Sequence, residues 1–209
     1  MGGRRRMLVW QVEETAGFDA AWATTNDPSL QATGRAVGQL PEPYWLTYRL
    51  ETDAQGTTRH VTIEAETHDE EQRLDLRCSD GTWTVNGEER PDLADAEDCD
   101  IACCPLTNTM PILRHQLHRK AGEHNFLMAF IEVPSLRVVP SRQTYTHLGI
   151  DGDLARIRYR SGSFSSDLVV DAEGFVVDYP MLGHRMPAAE PRGNIGRSNG
   201  PGSPRAQSL

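Results

Sequence analysis

The chain has 209 residues, of which 38% are hydrophobic and 24% charged, and its formal net charge is −9 at pH 7. This composition is ordinary for a soluble globular protein, and the length suits one well-buried domain better than two. No apolar run approaches the roughly 20 residues that a membrane-spanning helix needs, so we expect no membrane span.

The negative charge is concentrated in one part of the chain. The stretch from Glu64 to Asp100 holds 14 acidic residues and three arginines, which gives it a local charge of −11. Nucleic-acid binding needs several cations on one face to neutralise phosphates, and the sequence has no basic stripe of that kind. We therefore expect no nucleic-acid partner, and we interpret the acidic stretch as solvated strand faces and loops.

The first residues bear on the compartment. Residues 1–10 include only four consecutive apolar side chains, and Glu13 and Glu14 follow at once, which is unlike a secretory signal. Four cysteines in a chain of this size without a signal are typical of reduced thiols. We expect a cytoplasmic, bacterial protein in which the cysteines are reduced: Cys78, Cys99, Cys103 and Cys104.

Most of the chain shows the period-two alternation of β-strands. Leu46, Tyr48 and Leu50, for example, fall on one side of their segment. Other segments of this kind, separated by Gly, Asp and Pro turns, are 61–66, 74–78, 82–85, 126–133, 136–139, 143–147, 157–159, 164–170 and 175–179. The pattern predicts a meandering antiparallel sheet and a mainly β fold.

Two segments are candidate helices. The first follows Asn108 and Thr109, either of which is a suitable N-cap, and has Pro111 in its first turn, where proline is tolerated. Gly122 would end this helix, and we expect the longest helix to lie within residues 108–119. Residues 18–22 form a second, shorter candidate.

A change in composition near the C-terminal end separates the domain from a tail. After Pro187 the composition shifts to Pro, Gly, Ser, Asn and Arg without a strand or helix pattern, so this stretch cannot bury enough apolar surface to offset its ordering entropy. The sequence therefore predicts one domain over residues 7–186 and a disordered tail over residues 187–209.

The segment 98–118 is a candidate metal or thiol site, because it holds three cysteines and two histidines. Zinc ligands usually come in paired short spacings, and no Cys-x-x-Cys pair occurs, although His115 and His118 would share a helical face. A thiol nucleophile needs a base and a depressed pKa, and no local signature supports one. We predict no metal and no cofactor, and we interpret the cysteines as small buried side chains.

The same segment carries a family resemblance. Asp98-Cys99-Asp100-Ile101 is followed by Pro105-Leu106-Thr107-Asn108-Thr109-Met110-Pro111-Ile112 and by Arg114. This order resembles the signature of the glycolipid-binding family, first catalogued as a domain of unknown function, which runs Cys-x-Asp-hydrophobic and then Pro-x-Thr-Asn-Thr-Leu-Pro-Ile-Arg. Segments that match in outline extend the resemblance from about residue 10 to residue 182: 34–38, 44–50, 80–83, 133–134, 143–145, 159–161, Phe164 and 171–180.

Two positions depart from that pattern. Leu113-Arg114-His115 stands where the family usually has two consecutive arginines. Cys103-Cys104 stands where the family usually has a glycine, an aromatic or another small residue. Both departures bear on ligand contacts more than on the fold.

The resemblance implies a strongly curved antiparallel sheet, an open or incomplete barrel with one short crossover helix near residues 108–119, similar to half-barrel carriers of lipids and lipoproteins. It also implies non-catalytic binding of an amphiphile, a lipid or a glycolipid, in the concave face. Polar groups at the rim would give specificity. The candidate ligand-binding residues are Asn108, Arg114, Gln143, Tyr145 and Tyr179.

Two other functions stay open. The first is an enzyme, a hydrolase or isomerase acting on a small hydrophobic substrate in the same cavity with Asp100, His147 or a cysteine. The second is a protein-interaction module that binds no small ligand. No recognisable catalytic spacing separates these functions from binding, and the oligomeric state is not predicted.

Overall fold

The computed structural model describes residues 3–188, which form one continuous sheet of 15 strands. In chain order the strands are β1 (Arg4–Val12), β2 (Gly17–Asn26), β3 (Ser29–Gly38), β4 (Tyr44–Thr52), β5 (Thr58–Thr67), β6 (Glu71–Ser79), β7 (Thr82–Val85), β8 (Glu88–Glu89), β9 (Ala96–Ile101), β10 (Glu123–Ile131), β11 (Val138–Asp151), β12 (Leu154–Ser161), β13 (Phe164–Asp171), β14 (Val176–Tyr179) and β15 (Gly183–Arg185). One helix, α1 (Thr109–Arg114), and two 3-10 turns (Pro91–Leu93 and Pro105–Asn108) complete the regular structure.

The spatial order of the strands follows the chain, with one interruption. It runs from β8 down to β1, continues through β15 to β9, and leaves β8 and β9 as the two edges. All pairings are antiparallel except that of β9 with β10, which is parallel. The sheet is therefore mixed and is not closed into a barrel, and the predicted mainly β, open fold with one short helix is confirmed.

The sheet curls, and contacts between distant strands show it. The indole of Trp83 in β7 donates a hydrogen bond to the carbonyl of Ala96 in β9, 3.0 Å away, although β7 and β9 lie near opposite ends of the strand order. Thr58 of β5 likewise lies against Asp98 of β9. A flat sheet could not make these contacts, so the two halves curve towards one another around a shared interior.

Alternation explains why these residues form strands with one dry face. In β4 the buried positions are Tyr44, Leu46, Tyr48 and Leu50, and the residues between them are exposed. The period of two sends these four side chains into the concave interior. A strand of this kind is stable only when its apolar face is covered, and here the curled sheet and α1 cover it.

Two predictions about helices were wrong in detail. Residues 18–22 lie in β2, where Asp19, Ala21 and Ala23 are buried and the residues between them are exposed or partly exposed. The crossover helix α1 lies within residues 108–119 as predicted, but it ends at Arg114, well before Gly122. Strands β1, β2, β3, β8, β9 and β15 were not predicted from the alternation.

The tail predicted over residues 187–209 lies outside the described residues from residue 189 onwards. Among the residues that the structure describes, no helix is long and apolar enough to cross a membrane.

Candidate functional site

The segment between β9 and β10 enters the concave interior. Since these two strands are parallel, the chain leaving β9 has to return to the other end of the sheet before β10 can start. It does so through the turn Pro105–Asn108 and α1, in which every residue from Pro105 to Leu113 is buried. This crossover segment, residues 102–118, fills part of the interior and leaves a cavity beside it.

The cavity has a volume of about 480 Å³. Strands β9 to β14, the crossover segment and the turns after β1 and β14 line it with apolar groups around a polar floor. The lining residues are Glu14, Asp100, Ile101, Ala102, Cys103, Cys104, Asn108, Phe130, Ser141, Tyr159, Ser161, Phe164, Tyr179, Met181 and Leu182. Phe164 and Met181 are exposed, so they mark the mouth of the cavity, whereas Asp100, Asn108 and Tyr179 are buried.

Asp100 is the carboxylate of the cavity floor. Thr107 Oγ1 donates to Asp100 Oδ1 at 2.8 Å, and Gln143 Nε2 donates to Asp100 Oδ2 at 2.6 Å. Burial raises the pKa of this carboxyl above its usual value, while the two donors oppose the rise. Each oxygen therefore has one fixed partner and one free lone pair, which lets the group accept further hydrogen bonds from a ligand.

Asn108 is the last residue of the turn that leads from the cavity floor into α1. Its Oδ1 accepts a hydrogen bond from the hydroxyl of Tyr145 at 2.9 Å, and its Nδ2 lies 3.4 Å from the carbonyl of Pro105. Asn108 is at the N-cap position of α1, as one of the two predicted candidates, but its side chain makes no capping hydrogen bond. The Thr-Asn pair of the motif instead connects the crossover segment to Asp100 and to β11.

An aromatic wall rises from the floor to the mouth. Tyr145, Tyr159, Tyr179 and Phe164 contact one another edge-on or tilted, with ring centroids 5.3 to 6.5 Å apart. Such geometries are favourable for aromatic pairs. The Tyr179 hydroxyl makes no hydrogen bond to any residue in the described range, so it can serve a ligand.

On the opposite side, the two adjacent thiols are held by the first half of the sheet. Cys104 Sγ lies 3.2 Å from Asp19 Oδ2 and 3.3 Å from the hydroxyl of Tyr48. Cys103 Sγ lies 3.1 Å from the hydroxyl of Tyr44. Burial raises the pKa of Cys103 to about 12 and that of Cys104 well above its usual value, so at neutral pH both cysteines are thiols. Burial also raises the pKa of Asp19 to about 7.

Two glycines of β3 make room for these tyrosines. A Cβ on Gly34 would lie 2.1 Å from Cζ of Tyr48, and a Cβ on Gly38 would lie 2.4 Å from Cε1 of Tyr44. Gly34 pairs with Tyr48, and Gly38 with Tyr44, across β3 and β4. The tyrosine rings therefore lie over the glycines, and their hydroxyls reach the thiols of the crossover segment.

Arg114 points away from the cavity lining. Its Nη2 lies 2.7 Å from Asp98 Oδ2 and its Nη1 lies 3.0 Å from Asp98 Oδ1, a bidentate pair in which Asp98 is fully buried. The same guanidinium donates to the carbonyl of Gly56 at 3.1 Å. The pair ties the end of α1 to β9 and to the turn before β5.

The five predicted ligand-binding residues therefore divide into three groups. Asn108 and Tyr179 line the cavity. Gln143 and Tyr145 lie behind it and hold Asp100 and Asn108 in place. Arg114 pairs with Asp98 and lies outside the cavity lining. Their roles in binding stay predictions.

All four cysteines are buried and free. Within residues 3–188, no group of three or more His, Cys, Asp and Glu side chains is arranged to hold a metal ion. His147, one of the residues considered for the alternative enzyme, lies outside the cavity lining, with its Nδ1 2.6 Å from the carbonyl of Leu117.

A family model described as "Putative glycolipid-binding" matches residues 7–185. The chain belongs to this family. The structure of this chain is similar to the crystal structure of a DUF1089 family protein from Pseudomonas aeruginosa, with a TM-score of 0.67. The two sequences are 30% identical, and the match covers 80% of this chain and 92% of that chain. No curated protein gives a significant match. The predicted family is thus confirmed.

Several residues of the site in this family member were not predicted. Tyr159 and Phe164 were noticed only as matching positions, and Asp19 was not considered at all. The signal for Asp19 is its position in β2, where a carboxylate occupies an inward place between small residues. A carboxylate on the buried face of a strand has to have partners, and Cys104 and Tyr48 supply them.

Proposed function

We propose that the chain binds a glycolipid with an uncharged sugar headgroup in the cavity beside the crossover segment, without catalysing a reaction. The observation that carries the proposal is the composition of the lining: aromatic and aliphatic side chains around a buried carboxylate, with no Lys, Arg or His among the lining residues. Mostly apolar pockets with a few convergent polar groups are typical of small-molecule sites.

The charge of the lining disfavours an anionic headgroup. Asp100 lies at the floor and Glu14 at the mouth, and both are acidic. A second cleft of about 400 Å³ adjoins the cavity through Ala102 and Phe130, and three more glutamates line it: Glu42, Glu70 and Glu132. A phosphate or sulfate headgroup would meet like charge along this path, and no side chain in the lining would neutralise it.

The hydrogen-bonding groups suit sugar hydroxyls. Asp100 keeps one free lone pair on each oxygen after binding Thr107 and Gln143, and a hydroxyl is a donor that can use it. Asn108 and the Tyr179 hydroxyl lie in the same lining and can both donate and accept. The rings of Tyr159 and Phe164 give the apolar face of a sugar ring, or the first methylenes of a chain, a surface to pack on.

The volume sets how much of the ligand enters. About 480 Å³ is the size of a pocket for a drug-sized molecule. We expect the headgroup and the first part of one acyl chain to occupy it, with the chain continuing past Phe130 into the adjoining cleft, where Val133 and Pro134 are apolar. Each methylene buried there would contribute about 0.8 kcal/mol to binding.

The pKa shifts and hydrogen-bond partners of the polar groups support binding rather than catalysis. A thiol nucleophile needs a lowered pKa, whereas burial raises the pKa of Cys103 to about 12 and that of Cys104 well above its usual value. His147 does not line the cavity, so it does not meet Asp100 or the thiols there. The carboxylate of Asp100 is fixed by two donors, which suits a recognition group.

The proposal is tested by titrating the chain with amphiphiles of equal chain length below their micelle concentrations. We expect dodecyl maltoside to bind in calorimetry and dodecyl phosphate to bind much more weakly or not at all, because the lining carboxylates repel it. Dodecyl trimethylammonium should also bind more weakly than the maltoside, because it has no hydroxyl to donate to Asp100. Asp100→Asn should weaken maltoside binding by roughly tenfold to a hundredfold, because a hydrogen bond to a charged group contributes about 1.5–3 kcal/mol.

Glu14→Gln is the matched control. It removes a carboxylate from the exposed mouth, so it should leave maltoside binding unchanged and relax the exclusion of the phosphate. Near-ultraviolet circular dichroism checks that each variant is folded. Equal binding of all three amphiphiles, or maltoside binding that survives Asp100→Asn, would contradict the proposed headgroup site. Hydrolysis of added glycolipid would favour the enzyme instead.

A further inference from the structure

The outer face of strands β1 to β4 carries exposed apolar side chains. Trp45 is 66% exposed, Met7 48%, Phe18 47% and Trp22 46%. The strand registers place them in two groups on one face: Trp45 pairs with Val37 and Val37 with Phe18, and Met7 pairs with Trp22. Neighbouring strands lie about 4.8 Å apart, so the members of each group are in reach of one another, and Ala20 separates the two groups along β2. Solvated faces of soluble proteins rarely expose several large aromatic residues together.

Basic side chains share this face. Outward positions of the same strands hold Arg5, Arg35 and Arg49, and the guanidinium of Arg5 lies over the ring of Trp22 at 4.7 Å. The only acidic side chain at an outward position of β1 to β4 is Glu51, at the far end of β4. These four strands thus carry three outward arginines against one outward glutamate, on a chain whose net charge is −9, and the next outward carboxylates are Glu64 and Glu66 of β5, which pair with Thr47 and Trp45 at the edge of the face. We call this surface the outer patch: Arg5, Met7, Phe18, Trp22, Arg35, Val37, Trp45 and Arg49.

We propose that the outer patch docks the protein onto an anionic lipid bilayer. Tryptophan and other aromatic side chains favour the level of the lipid headgroups, where an apolar ring and a polar edge are both satisfied. Arginines beside them are attracted by anionic headgroups, with a contribution of about fivefold in affinity for each basic residue near the surface. A surface that combines the two is typical of proteins that lie on a membrane rather than cross it.

The charges favour a bilayer over a second copy of the chain. A two-fold dimer through the centre of the outer patch would bring the arginines of one copy towards those of the other, because the nearest outward carboxylates, Glu51, Glu64 and Glu66, lie at the β4–β5 edge of the patch. An anionic bilayer offers the opposite charge to Arg5, Arg35 and Arg49 together. This docking does not depend on the ligand of the cavity, which lies on the other face of the sheet.

Vesicle binding tests the proposal. The chain is mixed with phosphatidylcholine vesicles that either contain or lack phosphatidylglycerol, and binding is measured by flotation and by tryptophan fluorescence. Trp10 and Trp83 are 0% and 1% exposed, so a blue shift on adding vesicles reports on Trp22 and Trp45. We expect flotation and a blue shift with the anionic vesicles, both reduced at high salt.

Two double variants separate the contributions. Arg35→Glu/Arg49→Glu should weaken binding to anionic vesicles by at least roughly tenfold. Phe18→Ser/Trp45→Ser should abolish the flotation while the fold is kept, because both side chains are exposed. The matched control is Arg137→Glu/Arg156→Glu, which makes the same charge change at two arginines that are 67% and 61% exposed and lie outside the patch.

Three results would overturn the docking. The first is a failure of the unchanged chain to float with anionic vesicles. The second is an equal loss of vesicle binding in Arg35→Glu/Arg49→Glu and in the control charge-reversal variant. The third is a dimer in analytical ultracentrifugation that Trp45→Ser dissociates, together with no vesicle binding, since the outer patch would then be a contact between copies.

Discussion

Replacing Arg114 by methionine tests whether this residue supports the fold or contacts the ligand. The substitution keeps most of the aliphatic volume beside Phe126 and removes the guanidinium from Asp98. Asp98 is 0% exposed and would keep only two long contacts, to the Thr58 amide at 3.3 Å and to its hydroxyl at 3.4 Å. Removing one partner of a buried ion pair costs about 3–5 kcal/mol.

That loss is large against the total stability of a domain, which is about 5–15 kcal/mol. Burial already raises the pKa of Asp98, and Arg114 opposes the rise, so the pKa rises further in Arg114→Met. A raised pKa in the folded state means that stability falls as the pH increases. The stability difference between Arg114→Met and the unchanged chain should therefore be smallest in acid and should grow towards neutral pH.

The assay is urea unfolding at several pH values, combined with maltoside titration of the folded variant. We expect a loss of about 3–5 kcal/mol at neutral pH and an unchanged affinity. Arg137→Met is the control: Arg137 also pairs with a carboxylate, that of Glu132, but its side chain is 67% exposed, so the loss should stay below about 1 kcal/mol.

The second variant in this test is Asp98→Leu/Arg114→Met, which removes both charges. Replacing a buried ion pair by apolar side chains is often close to neutral, so this variant should recover much of the stability that Arg114→Met loses. An Arg114→Met variant of normal stability that binds maltoside tenfold more weakly would refute the structural role and restore Arg114 as a ligand contact.

Two further predictions concern the buried groups on the other side of the crossover segment. Cys103 and Cys104 should resist iodoacetamide in the folded protein near neutral pH and react after unfolding, because burial raises the pKa of both thiols; rapid stoichiometric labelling of the folded chain would contradict this. Asp19→Asn should gain stability over the unchanged chain as the pH rises from about 4 to about 8, by at most about 4 kcal/mol, since burial raises the pKa of Asp19 from 3.8 to about 7. Parallel pH profiles of the two proteins would show that Asp19 titrates normally.

The alternation predicted strands best where the outer face is polar. In β4, Leu46, Tyr48 and Leu50 alternate mostly with polar residues, and the strand is found as expected. In β2 the usual placement of apolar and polar side chains is reversed: Phe18 and Trp22 are exposed, and Asp19 is buried. Period-two patterning assumes that apolar side chains point inward, so this strand was misinterpreted as a short helix.

The site was predictable in its location more than in its contacts. The motif from Asp98 to Arg114 does form the crossover segment and the floor of the cavity. Sequence spacing could not show that Asp98 pairs with Arg114 while Asp100 pairs with Gln143, since these contacts depend on how β9, α1 and β11 meet. Arg114 was chosen for its charge, and that charge is already neutralised by a buried partner.

The reversed pattern of β2 also connects the two proposals. Its inward Asp19 helps to hold Cys104 at the cavity, and its outward Phe18 and Trp22 belong to the outer patch. Successive side chains of a strand point to opposite faces, so each function can be altered without touching the other. A protein that takes a glycolipid from a bilayer needs both a surface that reaches the bilayer and a cavity that shields the ligand. If Phe18→Ser/Trp45→Ser loses vesicle binding but still binds maltoside, and Asp100→Asn does the reverse, the two faces of the sheet perform these two steps separately.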